Sequence, residues 1–167
     1  KRPAPPWKLK AQAHDAFTAG DYETAAKRYQ TVTEQSPDDA EGWFMHALCL
    51  QRLGLSADAY LPDVQKAVLV APGNVAIRSF LARQALNAGQ VDRALEHAEV
   101  AAHSPEADGR AFELLAEIEM RRPQPNLAAV EANLARARAA GIDTPELKVL
   151  LAEVSLRLYG VTAAETG

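Results

Sequence analysis

The stretch GDYETAAKRY, residues 20–29, decides how the rest of the chain is read. Gly20 closes one apolar-periodic segment and can take the left-handed conformation that ends a helix. Asp21 follows as a side chain suited to cap the next helix. Ala25 and Tyr29 then stand four apart, on one face of that helix. The pattern recurs: Gly20, Gly54 and Gly89 are spaced by 34 and 35, and Ala25, Ala59 and Ala94 keep the same spacings. Ala13, Ala47, Ala82 and Ala116 are spaced by 34, 35 and 34, and Pro37, Pro72 and Pro105 by 35 and 33. One shared period indicates a single helical hairpin repeated along the chain. Each residue class has a physical role in it. The glycines separate two helices, and the prolines follow the second, where a helix must stop and the chain reverse. The alanines fall in mid-helix, where a methyl lets the two helices of a hairpin approach closely.

Punctuation places the helices. Helix 1A is expected over about 7–18, and helix 1B over 22–35 with Asp21 as its cap. Helices 2A and 2B cover about 40–53 and 57–70, the second capped by Ser56. Helices 3A and 3B cover about 75–88, capped by Asn74, and 91–102. Helices 4A and 4B cover about 107–121 and 127–140, the latter capped by Asn126. A ninth helix runs over about 145–159, with Thr144 as cap and Pro145 in its first turn, where a missing N–H costs nothing. Pro62 falls inside helix 2B and is expected to kink or break it. One extra residue lies between Gly54 and Pro72, and Arg-Arg-Pro-Gln-Pro, residues 121–125, replaces the short turn of the fourth hairpin.

These residues resemble the tetratricopeptide repeat family, whose pattern is W-x2-L-G-x2-Y, then A-x3-F, then P. The first repeat supplies Leu9, Gln12, Ala13, Ala16, Ala25, Tyr29 and Pro37, and the second Trp43, His46, Ala47, Leu50, Ala59 and Pro72. The third supplies Arg78, Leu81, Ala82, Ala85, Ala94, Ala98 and Pro105. The fourth keeps Phe112, Leu115, Ala116, Ala128 and Ala132 and is otherwise degenerate. The resemblance implies an all-α fold: a right-handed superhelix, or α-solenoid, of about four antiparallel helix pairs with a C-terminal capping helix. The repeats would span about 7–38, 39–73, 74–106 and 107–142, with a proline-rich linker stub before residue 7 and a flexible tail over 161–167. A plain helical bundle explains the helices but not their period.

Composition agrees with helices. Of 167 residues, 34 are alanine, the best helix former, and only 6% are aromatic. This mixture excludes an all-β sandwich, a collagen-like chain and a disulfide scaffold. The resemblance, together with high Ala and Arg usage, leans toward a bacterial source with a GC-rich genome. The net charge of −4 gives no basic footprint for nucleic acid. No apolar run approaches the ~20 residues of a membrane span. The single cysteine, Cys49, excludes an internal disulfide and leaves cytoplasm and periplasm both open.

The resemblance also implies function: the first helix of each pair lines a groove that holds a peptide or helix of a partner. The expected groove residues are Lys10, His14 and Phe17 on 1A, Phe44, Leu48 and Gln51 on 2A, Ser79, Arg83 and Leu86 on 3A, and Glu113, Glu117 and Met120 on 4A. Each set keeps the i, i+4, i+7 spacing of one helical face. Phe44 and Leu48 read either as an apolar pocket or as packing for helix 3A or the N-terminal linker. Arg83 reads either as a hook for a partner carboxylate or as half of an internal pair with Glu on a neighbouring helix. The chaperone-tail clamp of some family members is not expected, because His14 stands where Asn is required, and Met45 and Phe80 occupy the next polar positions. Trp7 could anchor a folded-back linker, or be part of a disordered stub.

Catalytic and cofactor chemistry is not expected. His46 and Cys49 share a face three residues apart, which is half a zinc site at most, and His97 and His103 lie on another helix. The bland alternative is a buried Cys49 and a His46 at the hairpin interface. The glycines are single turn residues rather than a phosphate loop. Asp38 and Asp39 read as caps, and Arg121, Arg122, Arg136 and Arg138 as solvated surface. Three roles remain: an adaptor that binds a partner in its groove, the non-catalytic arm of a larger enzyme, or a self-assembly module. Lys148, Ser155 and Arg157 make the outer face of the ninth helix only partly polar, so a homo-oligomer stays open.

Overall fold

A computed structural model of the chain describes residues 2–165, with side chains through residue 160. Among the described residues there are nine helices and no strand: α1 (Pro6–Thr18), α2 (Tyr22–Gln35), α3 (Ala40–Arg52), α4 (Ala57–Val70), α5 (Val75–Asn87), α6 (Val91–His103), α7 (Gly109–Met120), α8 (Leu127–Ala139) and α9 (Pro145–Glu165). Three residues join α1 to α2 and α5 to α6, and four join α3 to α4, so the chain reverses within each pair. The packed pairs are α1 with α2, α3 with α4, α5 with α6 and α7 with α8. The chain divides into two compact units, Lys1–Pro72 with α1 to α4 and Gly73–Gly167 with α5 to α9.

Isolated helices of this length are marginal in water, so packing between them holds the fold. Counting from each N-cap shows how the sequence directs it. In α1, α3, α5 and α7 the eighth residue after the cap is Ala13, Ala47, Ala82 or Ala116, each fully buried. In α2, α4, α6 and α8 the fourth is Ala25, Tyr60, Ala94 or Val130 and the eighth Tyr29, Val64, Ala98 or Leu134, all buried. The first unit gathers Ala13, Ala25, Ala26, Tyr29 and Cys49 into a core. The second has two cores, one around Leu86, Leu114 and Ile118 and one around Val130, Leu134, Leu147 and Val154. Burying a side chain such as Leu134 contributes roughly 1.5–3 kcal/mol. The Tyr29 hydroxyl is buried and finds no hydrogen-bond partner among the described residues.

The three repeat glycines take positive φ, at 81°, 82° and 74° for Gly20, Gly54 and Gly89, as a helix-ending left-handed residue requires. Asp21, Asp39, Asn74, Asp108 and Asn126 each accept a backbone N–H of the helix they start, and Thr144 does the same for Leu147. Ser56 occupies the N-cap of α4 but makes no such bond.

Four expectations need correction. Pro62 does not break α4, which runs unbroken from Ala57 to Val70. Pro62 is exposed, so water can serve the carbonyl that its missing N–H leaves without a helical partner. Ala59 is exposed and makes no close interhelix approach. The loop before α4 is one residue longer than those before α2 and α6, which turns α4 by one position and brings Tyr60 into the place of Ala25 and Ala94. Trp7 is 72% exposed on α1 and anchors no folded-back linker. Finally, α9 continues past residue 159 to Glu165; of the expected tail, residues 166 and 167 and the side chains from 161 lie outside the described residues.

Where the fourth pair has no left-handed glycine between its helices, a carboxylate takes over. Glu119, only 7% exposed, accepts the Asn126 backbone N–H at 2.9 Å and the Arg122 guanidinium at 3.1 and 3.3 Å. It pins the six-residue connection from α7 to α8 at both ends.

Candidate functional site on the first helices of the pairs

In the first unit, Lys10 on α1 reaches the start of α3, with Nζ 2.9 Å from Asp39 and 2.8 Å from Glu41. Partial burial works against its charge, but the two carboxylates outweigh it and raise its pKa. Asp39 also accepts the Gly42 N–H at 3.2 Å, so the capping carboxylate doubles as a bolt between α1 and α3. His14 is exposed. Phe17 departs from the expected groove: it packs against the first core and meets Tyr22 edge-on, with ring centroids 5.2 Å apart. Phe44, Leu48 and Gln51 are half-buried along one face of α3. Met45 and Leu50, on the same helix, are the residues that pack on the core.

In the second unit, Arg83 of α5 meets Glu117 of α7 with two parallel hydrogen bonds of 2.9 and 2.8 Å. Both are ninth after their N-caps, so the repeat itself sets the pair opposite each other. Arg121 adds a bond to Glu117 at 3.2 Å. Of the two readings of Arg83, the structure shows the internal pair. Such partly exposed pairs contribute ~0–1 kcal/mol, so they orient side chains more than they stabilise the fold. The acidic end expected on 4A is thereby neutralised, and Glu113 accepts a hydrogen bond from Thr144, the cap of α9. Leu86 departs from the expected groove as well, since it is 4% exposed inside a core. Met120 packs against the other core of the unit.

A cleft of about 440 Å³ has no forerunner in the sequence pattern. Ser79 lies in it with Asn74, Val75, Ala76, Glu106, Asp108 and Arg110. Asn74 and Asp108 are legible from sequence only as caps; their proximity follows from their equal place in successive repeats. Arg121, Arg136 and Arg138 are exposed, as expected of solvated surface, with the Arg136 guanidinium 5.6 Å from the Phe112 ring centre; Arg122 is half-buried and pairs with Glu119.

His46 and Cys49 diverge despite sharing a helix. His46 Nδ1 lies 2.6 Å from an Asp63 oxygen, across the α3–α4 interface. Cys49 is fully buried, and burial pushes its thiol up to about 11, so it remains protonated and unreactive. Among the described residues, no group of three or more His, Cys, Asp or Glu side chains is placed to hold a metal ion. No helix of the described residues is long and apolar enough to cross a membrane.

Residues 10–74, which include most of the first two pairs, match the tetratricopeptide repeat family model. By that match the first two helix pairs are tetratricopeptide repeats. The later pairs carry the same fold. The chain is similar to PilF of Pseudomonas aeruginosa, at 14% identity and a TM-score of 0.76 over 96% of this chain and 72% of that one. It is similar to MamA from Desulfovibrio magneticus RS-1, at 19% identity and a TM-score of 0.73 over 96% and 89%. It also resembles the Yersinia enterocolitica type III secretion chaperone SycD in complex with a peptide of the translocator YopD, at 17% identity and a TM-score of 0.60 over 68% and 92%. No curated protein matches the sequence.

Proposed function

We propose that this chain is a protein-interaction scaffold that takes an extended segment or a helix of a partner on the first helices of its pairs. The observation that carries the reading is on α3. Phe44 and Leu48 are partly exposed and stand four residues apart on one face of α3. Gln51 continues that face with an amide able to donate to and accept from a partner backbone. An apolar pair beside a polar end suits a partner side chain set into a short run of main chain. The fold likeness to SycD, whose structure holds a peptide, supports the class of ligand. Within the second unit, Arg83, Glu117 and Arg121 offer a partner two guanidiniums already oriented by one carboxylate.

The test is calorimetric titration of a partner captured from the host. Leu48→Glu and Phe44→Ala are expected to weaken binding about tenfold or more, a loss of about 1.4 kcal/mol or more. Leu69→Glu, at an exposed site on α4, serves as the control and leaves affinity unchanged. Equal affinity in all three variants overturns the assignment to α3.

A further inference from the structure

The last helix is apolar on two opposite faces. Leu147, Leu150, Leu151, Val154 and Leu158 lie on the core shared with α7 and α8. Val149, Leu156 and Tyr159 are 64%, 70% and 53% exposed on the other side, with Ala152 exposed between them. A second apolar face on a helix whose first already meets the core is ordinarily covered too.

The earlier helix pairs supply a comparison for this face. Thr144 caps α9 as Asp39, Asn74 and Asp108 cap α3, α5 and α7. Counted from these caps, Ala152 is the counterpart of Ala47, Ala82 and Ala116, which are fully buried against a second helix. So α9 carries the close-approach residue of a helix pair on an open face.

The open face also has a period of its own. Residues 149, 152, 156 and 159 are spaced 3, 4 and 3, which are the a and d positions of a two-stranded helical seam. In that register Lys148 is a g position and Glu153 the e position five residues on. Parallel pairing with a second copy sets g against the following e, which places Lys148 opposite a carboxylate twice over. Antiparallel pairing over the same seam sets e against e, where Glu153 meets Glu153, and carries Lys148 to the far end of the other helix, away from that carboxylate. The present partners of these two ions, Asp143 and Arg157, are exposed and exchange at little cost. At the end of the seam the Tyr159 hydroxyl donates to Glu131 of α8 at 3.1 and 3.3 Å, so α8 reaches the edge of this face while Tyr159 stays half-exposed.

We propose that α9 is a dimerisation helix, pairing in parallel with α9 of a second copy through Val149, Ala152, Leu156 and Tyr159, with Lys148 meeting Glu153 of the partner subunit.

Sedimentation velocity on the whole chain tests this. The seam spans only about 15 Å at 1.5 Å per residue, so the dissociation constant is expected between about 1 µM and 1 mM. Leu156→Glu is expected to weaken dimerisation at least tenfold, with an unchanged circular dichroism spectrum because the side chain is exposed. Lys148→Glu alone should weaken it, and Lys148→Glu with Glu153→Lys should restore it. A monomer across the whole range, or a dimer indifferent to Leu156→Glu, overturns the proposal. So does capture of a different protein's helix by α9 in a chain that stays monomeric. Failure of the charge swap to restore the dimer overturns the parallel register. Partner binding at Phe44 and Leu48 is read separately and is unaffected by Leu156→Glu.

Discussion

His97 shows how much a single side chain depends on its surroundings. It sits half-buried on α6 with Nδ1 3.0 Å from an Arg78 guanidinium nitrogen. A guanidinium only donates, so the ring must accept there and be neutral at Nδ1. Burial above all, and then Arg78 and Arg93, depress its pKa, against a smaller opposing effect of Glu96. The folded pKa therefore lies below the ~6.5 of an unfolded histidine. The stability it contributes is fully present above that unfolded value and is lost as pH falls through the folded one. Urea midpoints should accordingly drop on going from about pH 7 to about pH 5, and drop less in His97→Gln, which keeps an acceptor for Arg78. Identical pH slopes in the two proteins would assign the effect elsewhere. None of this is legible in the sequence, because the decisive neighbour lies 19 residues away along the chain. The repeat alanines are legible there, since close helix packing is what favours a bare methyl at a fixed period.

At the level of elements, the helices and their caps can be read because glycine, proline and short polar side chains act locally. The groove residues cannot be read so far. Each expected set named the positions five, nine and twelve after an N-cap. The twelfth is Phe17, Gln51, Leu86 or Met120, and three of these four turn toward a core. The reason is the hairpin corner: Phe17 meets Tyr22, the first residue of α2, and Leu86 shares a cluster with Val91, the first residue of α6. An i, i+4, i+7 stripe carries no information about where the next helix begins to cover it. The six-residue connection from α7 to α8 is another case. Its lost glycine is visible in the sequence, but not the buried Glu119 that replaces it. Glu119→Ala should leave the Asn126 N–H and the Arg122 guanidinium without that acceptor, at a cost of about 1–3 kcal/mol by urea denaturation. A change within about 0.5 kcal/mol, as for an ordinary surface substitution, would show that the carboxylate does not hold the connection.

For the molecule as a whole, the period announces one continuous array, while the structure divides into two compact units between Pro72 and Gly73. The sequence around Pro72 resembles that around Pro37, where no division falls, so punctuation alone does not locate it. The division has a measurable meaning. Repeat proteins are stabilised by each repeat and its nearest neighbours, which permits local opening. Leu134→Ala, in the second unit, should cost roughly 2–5 kcal/mol there. Hydrogen exchange should then lose protection over 127–158 far more than over 13–33. An equal loss in both would mean that the two units unfold as one.

The longer loop before α4 bears on how such a chain can be rebuilt. Because Leu55 and Ser56 stand where the other loops have one residue, the second pair is not interchangeable with the first or third as a cassette cut at its glycines. A cassette aligned on its glycine would match the exposed Ala59 with the buried Ala25 and Ala94, whereas alignment on the cap matches Tyr60 with them. Shuffling these modules therefore has to be registered on helix caps, with loop and helix transferred together.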